Sequence, residues 1–357
     1  MRVRLENPIF KIQNSELLRT RLAAWFQKHG RDLPWRRTRD PYAIMVSEFM
    51  LQQTQVATVI PFFARWLARF PDFRTLAAAS EGEVLAVWQG LGYYSRARNL
   101  HRAAQEVVTL HGGTLPSDPA IIASLPGIGR YTAGAIASFA FDQPVATIDG
   151  NIARVLARLL DLHEPIDSKT GAGILWQVAE ALLPGQGGHL HTSALMELGA
   201  LICTPTKPQC LPCPVREQCR TLDPDSLPIK KARQKTVSMR EDCAWVVRGR
   251  RVLLEQQTGA RWRGLWRLPV LAAPRNPQSA LRNPQSAICN PQSAKPLTFL
   301  TYPFTHHRVH LSVFAASAPT PLAPNQQWFL LAELADVALT APHRRAIEHL
   351  RATQQLA

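Results

Sequence analysis

Four of the six cysteines crowd into one short segment of the chain, at Cys203, Cys210, Cys213 and Cys219, and this most restricts how such a sequence can fold. The intervals of six, two and five residues, with Pro205, Pro208, Pro212 and Pro214 interspersed, rule out a regular helix and confine four thiols to one compact loop. Cys243 and Cys289 stand apart. In a reducing compartment such a crowd signals a metal site rather than disulfides. Four thiolates suit a structural zinc or an iron–sulfur cubane, although zinc ribbons usually present two Cys-x-x-Cys knuckles and this loop has one.

The chain has 357 residues and a formal net charge of +15. Its length fits two domains, each able to bury a core. The basic surplus favours a polyanionic partner, with nucleic acid first through phosphate neutralisation. No apolar run is long enough to span a bilayer, and the opening residues lack the apolar stretch of a signal peptide, so a cytoplasmic protein without a membrane partner is expected. Residues 1–225 read as helical, for instance Ile152, Val155, Leu156, Leu159 and Leu160 on one helical face. Residues 226–240 read as a linker and residues 241–357 as a second, mixed α and β domain. In the latter, Ala244–Val247 and Val252–Leu254 suggest two strands across a turn, and Val309–Phe314 another strand. Asn-Pro-Gln-Ser-Ala begins at Asn276, Asn283 and Asn290, which marks residues 275–294 as a surface insertion.

Chemistry concentrates in three helical segments. Leu125-Pro126-Gly127-Ile128-Gly129-Arg130-Tyr131 puts two glycines before an apolar helix, a turn able to bring backbone N–H groups to a phosphate. Asp149, in Thr147-Ile148-Asp149-Gly150-Asn151, is placed as a helix N-cap, where the helix terminus favours its charged form; capping alone would also explain it. Glu48 interrupts the apolar run Tyr42–Leu51. Facing a desolvated pocket it would have a raised pKa and serve as an acid near neutrality; facing solvent it would be an ordinary helix glutamate. One charged and one protonated carboxyl are what cleavage of a glycosidic bond through an oxocarbenium-like transition state requires.

The cysteine spacing, the hairpin, Ser47–Val56 and Gly90–Leu100 together resemble the helix-hairpin-helix DNA glycosylases, and within them the MutY family. The likeness covers the first domain and part of the second. It implies an all-α helix-hairpin-helix glycosylase domain with a 4Fe–4S cluster on Cys203, Cys210, Cys213 and Cys219. The implied activity is excision of adenine opposite 8-oxoguanine or guanine in double-stranded DNA, by a monomer. On this likeness Glu48 protonates adenine, Asp149 stabilises the sugar, and Tyr131 and Asn151 hold the machinery. Gln53 and Tyr93 wedge the duplex near the orphaned guanine, with Thr54 at its edge, while Trp35, Arg36 and Glu197 surround the adenine. Thr192-Ser193 departs from the Asn-Gln common in the family. Tyr131 stands where endonuclease III relatives carry a lysine, which implies a monofunctional enzyme without Schiff-base strand cleavage.

In the second half, Trp262–Pro269 is similar to a strand region of Nudix-like domains, but their acidic magnesium-binding box is missing. An α+β recognition domain is expected rather than a second hydrolase. Phe304-Thr305-His306 resembles the family's lesion-reading loop; taken by composition alone, His306 and His307 would read as a metal or surface pair. A noncatalytic iron–sulfur DNA-binding protein would keep the hairpin and the cysteines but would need neither Glu48 nor Asp149.

Overall fold

The computed structural model describes residues 14–232, 235–259, 262–271, 290–291, 295–335 and 337–354. Cys289 and all of the 275–294 repeat except Asn290–Pro291 lie outside them. The chain divides into two compact units, residues 1–78 with 99–232, and residues 79–98 with 233–357.

The helices in chain order are α1 (Ser15–His29), α2 (Pro41–Leu51), α3 (Val56–Arg69), α4 (Phe73–Ala78), α5 (Glu81–Trp88), α6 (Ser95–His111), α7 (Pro119–Ser124), α8 (Arg130–Phe141), α9 (Gly150–Leu160), α10 (Lys169–Ala181) and α11 (Gly188–Leu201). Local chemistry sets where they start. Asp40 accepts from the N–H groups of Tyr42 and Ala43 ahead of α2, whose first residue, Pro41, has no N–H to satisfy. Ser168 caps α10, and Ser80 with Glu83 forms a reciprocal capping box on α5.

The core of the first unit gathers around α9, with Leu18 and Leu22 of α1, Leu175 and Val178 of α10 and Leu195 and Leu198 of α11 packed against it. Helix α9 has the apolar face expected of it, but its polar face is covered too: every residue from Ile152 to Leu160 is buried, including Arg154 and Arg158. These arginines are tolerated because their guanidinium groups bond to backbone carbonyls of the cysteine segment. Helices α9 and α11 approach closely at Gly199, where a Cβ would fall 2.6 Å from Cβ of Asn151. Gly199→Ala is therefore expected to destabilise the protein by about 1–3 kcal/mol in denaturant unfolding. Wild-type stability in that variant would mean that the two helices separate without cost.

The presumed linker is shorter than residues 226–240. Leu227 is buried and its carbonyl accepts from Nε of Arg158 at 3.0 Å, while the Ile229 carbonyl and the Lys231 N–H bond to Ile166 and Asp167. This stretch docks through its backbone, so it needs no apolar periodicity.

The second unit has two sheets. Strand β1 (Val237–Trp245) begins within the presumed linker and pairs in parallel with β7 (His307–Ser317). Antiparallel to β7 run β6 (Thr298–Phe304) and the short β5 (Asn290–Pro291), the described part of the repeat. In the other sheet β3 (Arg251–Gln256) pairs with β2 (Val247–Arg248), β4 (Trp266–Arg267) and β8 (Gln326–Leu330). The apolar run Ala244–Val247 is not one strand: the chain leaves the first sheet after Trp245 and enters the second at Val247. Cys243, Trp245, Val252, Leu254 and Leu311 form the core with Ala346, Ile347 and Leu350 of α12 (Ala341–Gln354).

Candidate active site

A cleft of about 580 Å³ opens within the first unit. Two of its walls are helix faces. Ile44, Ser47, Glu48 and Leu51 come from α2, and His189, Ser193, Met196, Glu197 and Ala200 from α11, both at the three- and four-residue spacing that brings side chains onto one face. Tyr131 and Phe139 of α8, and Asp149 and Asn151 at the start of α9, also line it.

Glu48 is 4 % exposed, and its Oε2 accepts a 3.0 Å hydrogen bond from the Tyr131 hydroxyl. Burial pushes its carboxyl from the ordinary 4.5 up to about 7, against that hydrogen bond and with a further push from Asp149. Tyr131 is itself held well above its usual range by burial and by both carboxylates, so it stays a donor. Asp149 caps α9 as the sequence suggests, accepting from the Ile152 N–H at 2.7 Å and from the Asn151 amide at 2.9 Å. Its pKa departs from expectation, because burial raises it and outweighs the bonds from Ile152 and Asn151 and the nearby Arg154.

Trp35 and Arg36, from the turn Pro34–Arg36, line the same cleft, as do Gln53 and Thr54 just beyond α2. Gln53 is exposed with a left-handed φ of 57°. Glu197 is fully buried and accepts from the N–H, Nε and Nη2 of Arg31 and from Nη2 of Arg36, each bond between 2.8 and 2.9 Å. Burial would raise its pKa, but the arginines hold it at about 2. Arg31 was not anticipated; it is one of several arginines in Arg31–Arg39, and only the fold reveals its partner 166 residues away. Of Thr192 and Ser193, only Ser193 lines the cleft, since the Thr192 hydroxyl accepts from Ser138 in the interior.

The glycines of the hairpin do different work. Gly127 has φ 76°, and a Cβ there would meet the Asn99 side chain at 2.5 Å. Gly129 is the N-cap of α8, with open space where a Cβ would stand, so the approach to the helix N-terminus is unobstructed. Tyr93, 55 % exposed with φ 47°, belongs to the segment that groups with the second unit.

Asn151 connects Asp149 to the cysteine segment. Its Oδ1 accepts from Nη2 of Arg154 at 2.9 Å, and Nε of Arg154 donates to the Cys203 carbonyl at 2.7 Å. Arg158 donates to Sγ of Cys203 at 3.3 Å and to the Thr204 carbonyl at 2.7 Å. The four cysteines influence one another electrostatically, and burial raises the Cys213 thiol to about 11. Among the described residues, no three of their sulfurs lie within 4.8 Å of one another. Four thiols in one loop are a donor set that a tetrahedral zinc or a polynuclear iron–sulfur centre could take.

In the second unit, Phe304, Thr305 and His306 end β6 and form its turn into β7. Phe304 meets Trp262 edge-on, Thr305 has φ 52°, and the His306 and His307 rings lie 3.9 Å apart, tilted by 40°. The buried Glu241 and Glu255 both accept from Arg267, and Glu241 also from the Tyr302 hydroxyl, so these carboxylates serve the core.

Residues 46–178 match the family of HhH-GPD superfamily base excision DNA repair proteins, and residues 243–349 match the NUDIX domain. The helical unit is thus similar to that superfamily, and the second unit to a NUDIX domain. An adenine DNA glycosylase of Mus musculus is 46 % identical over 212 residues, covering 57 % of this chain and 41 % of the mouse protein. One of Arabidopsis thaliana is 35 % identical over 320 residues, covering 76 % and 50 %. This chain thus spans about half or less of the length of these relatives. The solved structure of a thermostable thymine-DNA glycosylase superposes with a TM-score of 0.53 at 28 % identity, covering 57 % of this chain and 94 % of that one. No helix among the described residues is long and apolar enough to cross a membrane.

Proposed function

We propose that the chain is a monofunctional adenine DNA glycosylase, acting as a monomer on double-stranded DNA to excise adenine mispaired with 8-oxoguanine or guanine. The observation that carries this reading is the pair of carboxyls in one cleft, Asp149 partly buried and Glu48 buried, held at about 7 and bridged to α8 by Tyr131. The adenine must leave the base stack to reach them, at a cost that is lower at a mispair. Glu48 gives its proton to a ring nitrogen of the purine, which makes the base a neutral leaving group. As the glycosidic bond breaks, the sugar becomes cationic, and Asp149, steadied by Asn151 and the Ile152 N–H, stabilises that charge. Water completes the reaction and leaves an abasic site.

Tyr131 occupies the hairpin position at which an amine would open a Schiff-base route, and a phenol cannot form one. Gln53 and Tyr93 fill the gap left by the extruded base, with Thr54 beside the orphaned guanine, while Gly127 and Gly129 seat the DNA backbone. Phe304, Thr305 and His306 read the oxidised guanine. Cys203, Cys210, Cys213 and Cys219 would hold a 4Fe–4S cluster, which would fix the loop that presents Lys207 and Arg216 to solvent.

The test incubates purified protein with duplexes carrying adenine opposite 8-oxoguanine, guanine or thymine and scores strand breaks before and after alkali. Breaks in the adenine strand of the mispairs, chiefly after alkali, are expected. Breaks without alkali would indicate a lyase, and binding without adenine release would leave a noncatalytic DNA-binding protein.

A further inference from the structure

The α11 wall of the cleft carries three polar side chains, His189, Ser193 and Glu197. Glu197 is saturated, since its oxygens take four hydrogen bonds from Arg31 and Arg36 and a carboxylate has about four lone-pair sites. The side chains of His189 and Ser193 have no hydrogen-bond partner among the described residues. Of the two, only His189 can both donate and accept through a rigid ring.

His189 is also the better positioned. It is the second residue of α11, and its backbone N–H donates to Oδ1 of Asp142 at 2.9 Å, which fixes where the side chain departs. Its ring stands edge-on to Phe139, with centroids 5.8 Å apart and an interplanar angle of 80°. Phe139 and Tyr131 lie eight residues apart on α8, about 12 Å along the axis. The His189–Phe139 end therefore lies away from the carboxyl end, where a base held by Glu48 and Asp149 would present its remaining edge.

We infer that His189 is a base-reading residue of the cleft, hydrogen-bonding the purine edge that points away from Glu48 and Asp149 and thereby contributing to the selection of adenine. The inference rests on the adenine reading above. Burial, together with Arg39 and Arg36, holds the imidazole down to about 4, so at neutral pH it offers one N–H and one bare nitrogen. Adenine presents on that edge an amino donor beside a ring-nitrogen acceptor, and a neutral imidazole can serve either. Phe139 behind the ring limits its rotation.

The test measures single-turnover base release by the wild-type protein, His189→Ala, His189→Phe and His189→Gln, on duplexes carrying adenine or unsubstituted purine opposite 8-oxoguanine. Purine lacks only the amino group, so the adenine-to-purine rate ratio reports its recognition whatever the intrinsic lability of each base. The ratio should drop on the order of tenfold in His189→Ala, the loss of one buried hydrogen bond. His189→Phe, which keeps a ring against Phe139, should drop equally, and His189→Gln, with an amide donor and acceptor, should recover most of the ratio. Adenine release by wild type with an unchanged ratio in His189→Ala and His189→Phe would remove the role of His189 and leave the glycosylase reading intact. No adenine release by wild type would overturn both.

Discussion

Glu48→Gln is expected to release adenine about a thousandfold more slowly than wild type while binding the same duplex equally well. The substitution preserves volume and can still accept from the Tyr131 hydroxyl, so the cleft keeps its shape and loses only the transferable proton. With the Glu48 carboxyl at about 7, the wild-type rate should fall as pH rises through that value. A second consequence concerns stability and has a definite sign. A carboxyl raised from 4.5 to about 7 disfavours the folded state when ionised, by about 3 kcal/mol, so its contribution is complete below pH 4.5 and is lost as pH rises through 7. Glu48→Gln should match the wild type in stability at pH 4 and exceed it at pH 8. Equal stabilities at both pH values would mean that Glu48 is not desolvated, and a catalytically competent variant would remove it from the chemistry.

Arg158→Met should cost about 3–5 kcal/mol in denaturant unfolding, because four acceptors lose a buried partner. The Arg158 side chain is 1 % exposed and bonds to the carbonyls of Leu227, Thr204 and Pro205 and to Sγ of Cys203. Methionine fills much of the same space, which separates the lost hydrogen bonds from a packing defect. The purified variant should also lose most of the visible absorption of an iron–sulfur cluster. Stability within about 1 kcal/mol of wild type would mean that water or neighbouring groups replace these bonds.

The parts legible in the sequence were those encoded locally. The cap at Asp149 follows from one side chain and the three N–H groups after it, and Glu48 was conspicuous as the one charge in an apolar helix. The turn at Gly127 and Gly129 was legible for the same reason. What stayed hidden depends on partners far along the chain. Arg31 meets Glu197 across 166 residues. Arg154 and Arg158 lie off the apolar face of α9, and only the fold shows that the cysteine segment covers them. The raised pKa of Asp149 has the same origin, since capping is local but burial belongs to the whole fold. The stretch through Lys231 passed for a linker because backbone groups, which every residue has, make its contacts.

Because two walls of the cleft are single faces of separate helices, they can change independently. Glu48 stands on α2, Asp149 caps α9, and His189 and Ser193 line the cleft from α11. A substitution at position 189 or 193 is expected to alter what is bound without moving the residues that break the bond, since a helix holds its backbone when one cleft-facing side chain is exchanged. Such a site can acquire new substrates by single mutations that leave its reaction intact, so its evolutionary drift should run along α11 while α2 stays fixed.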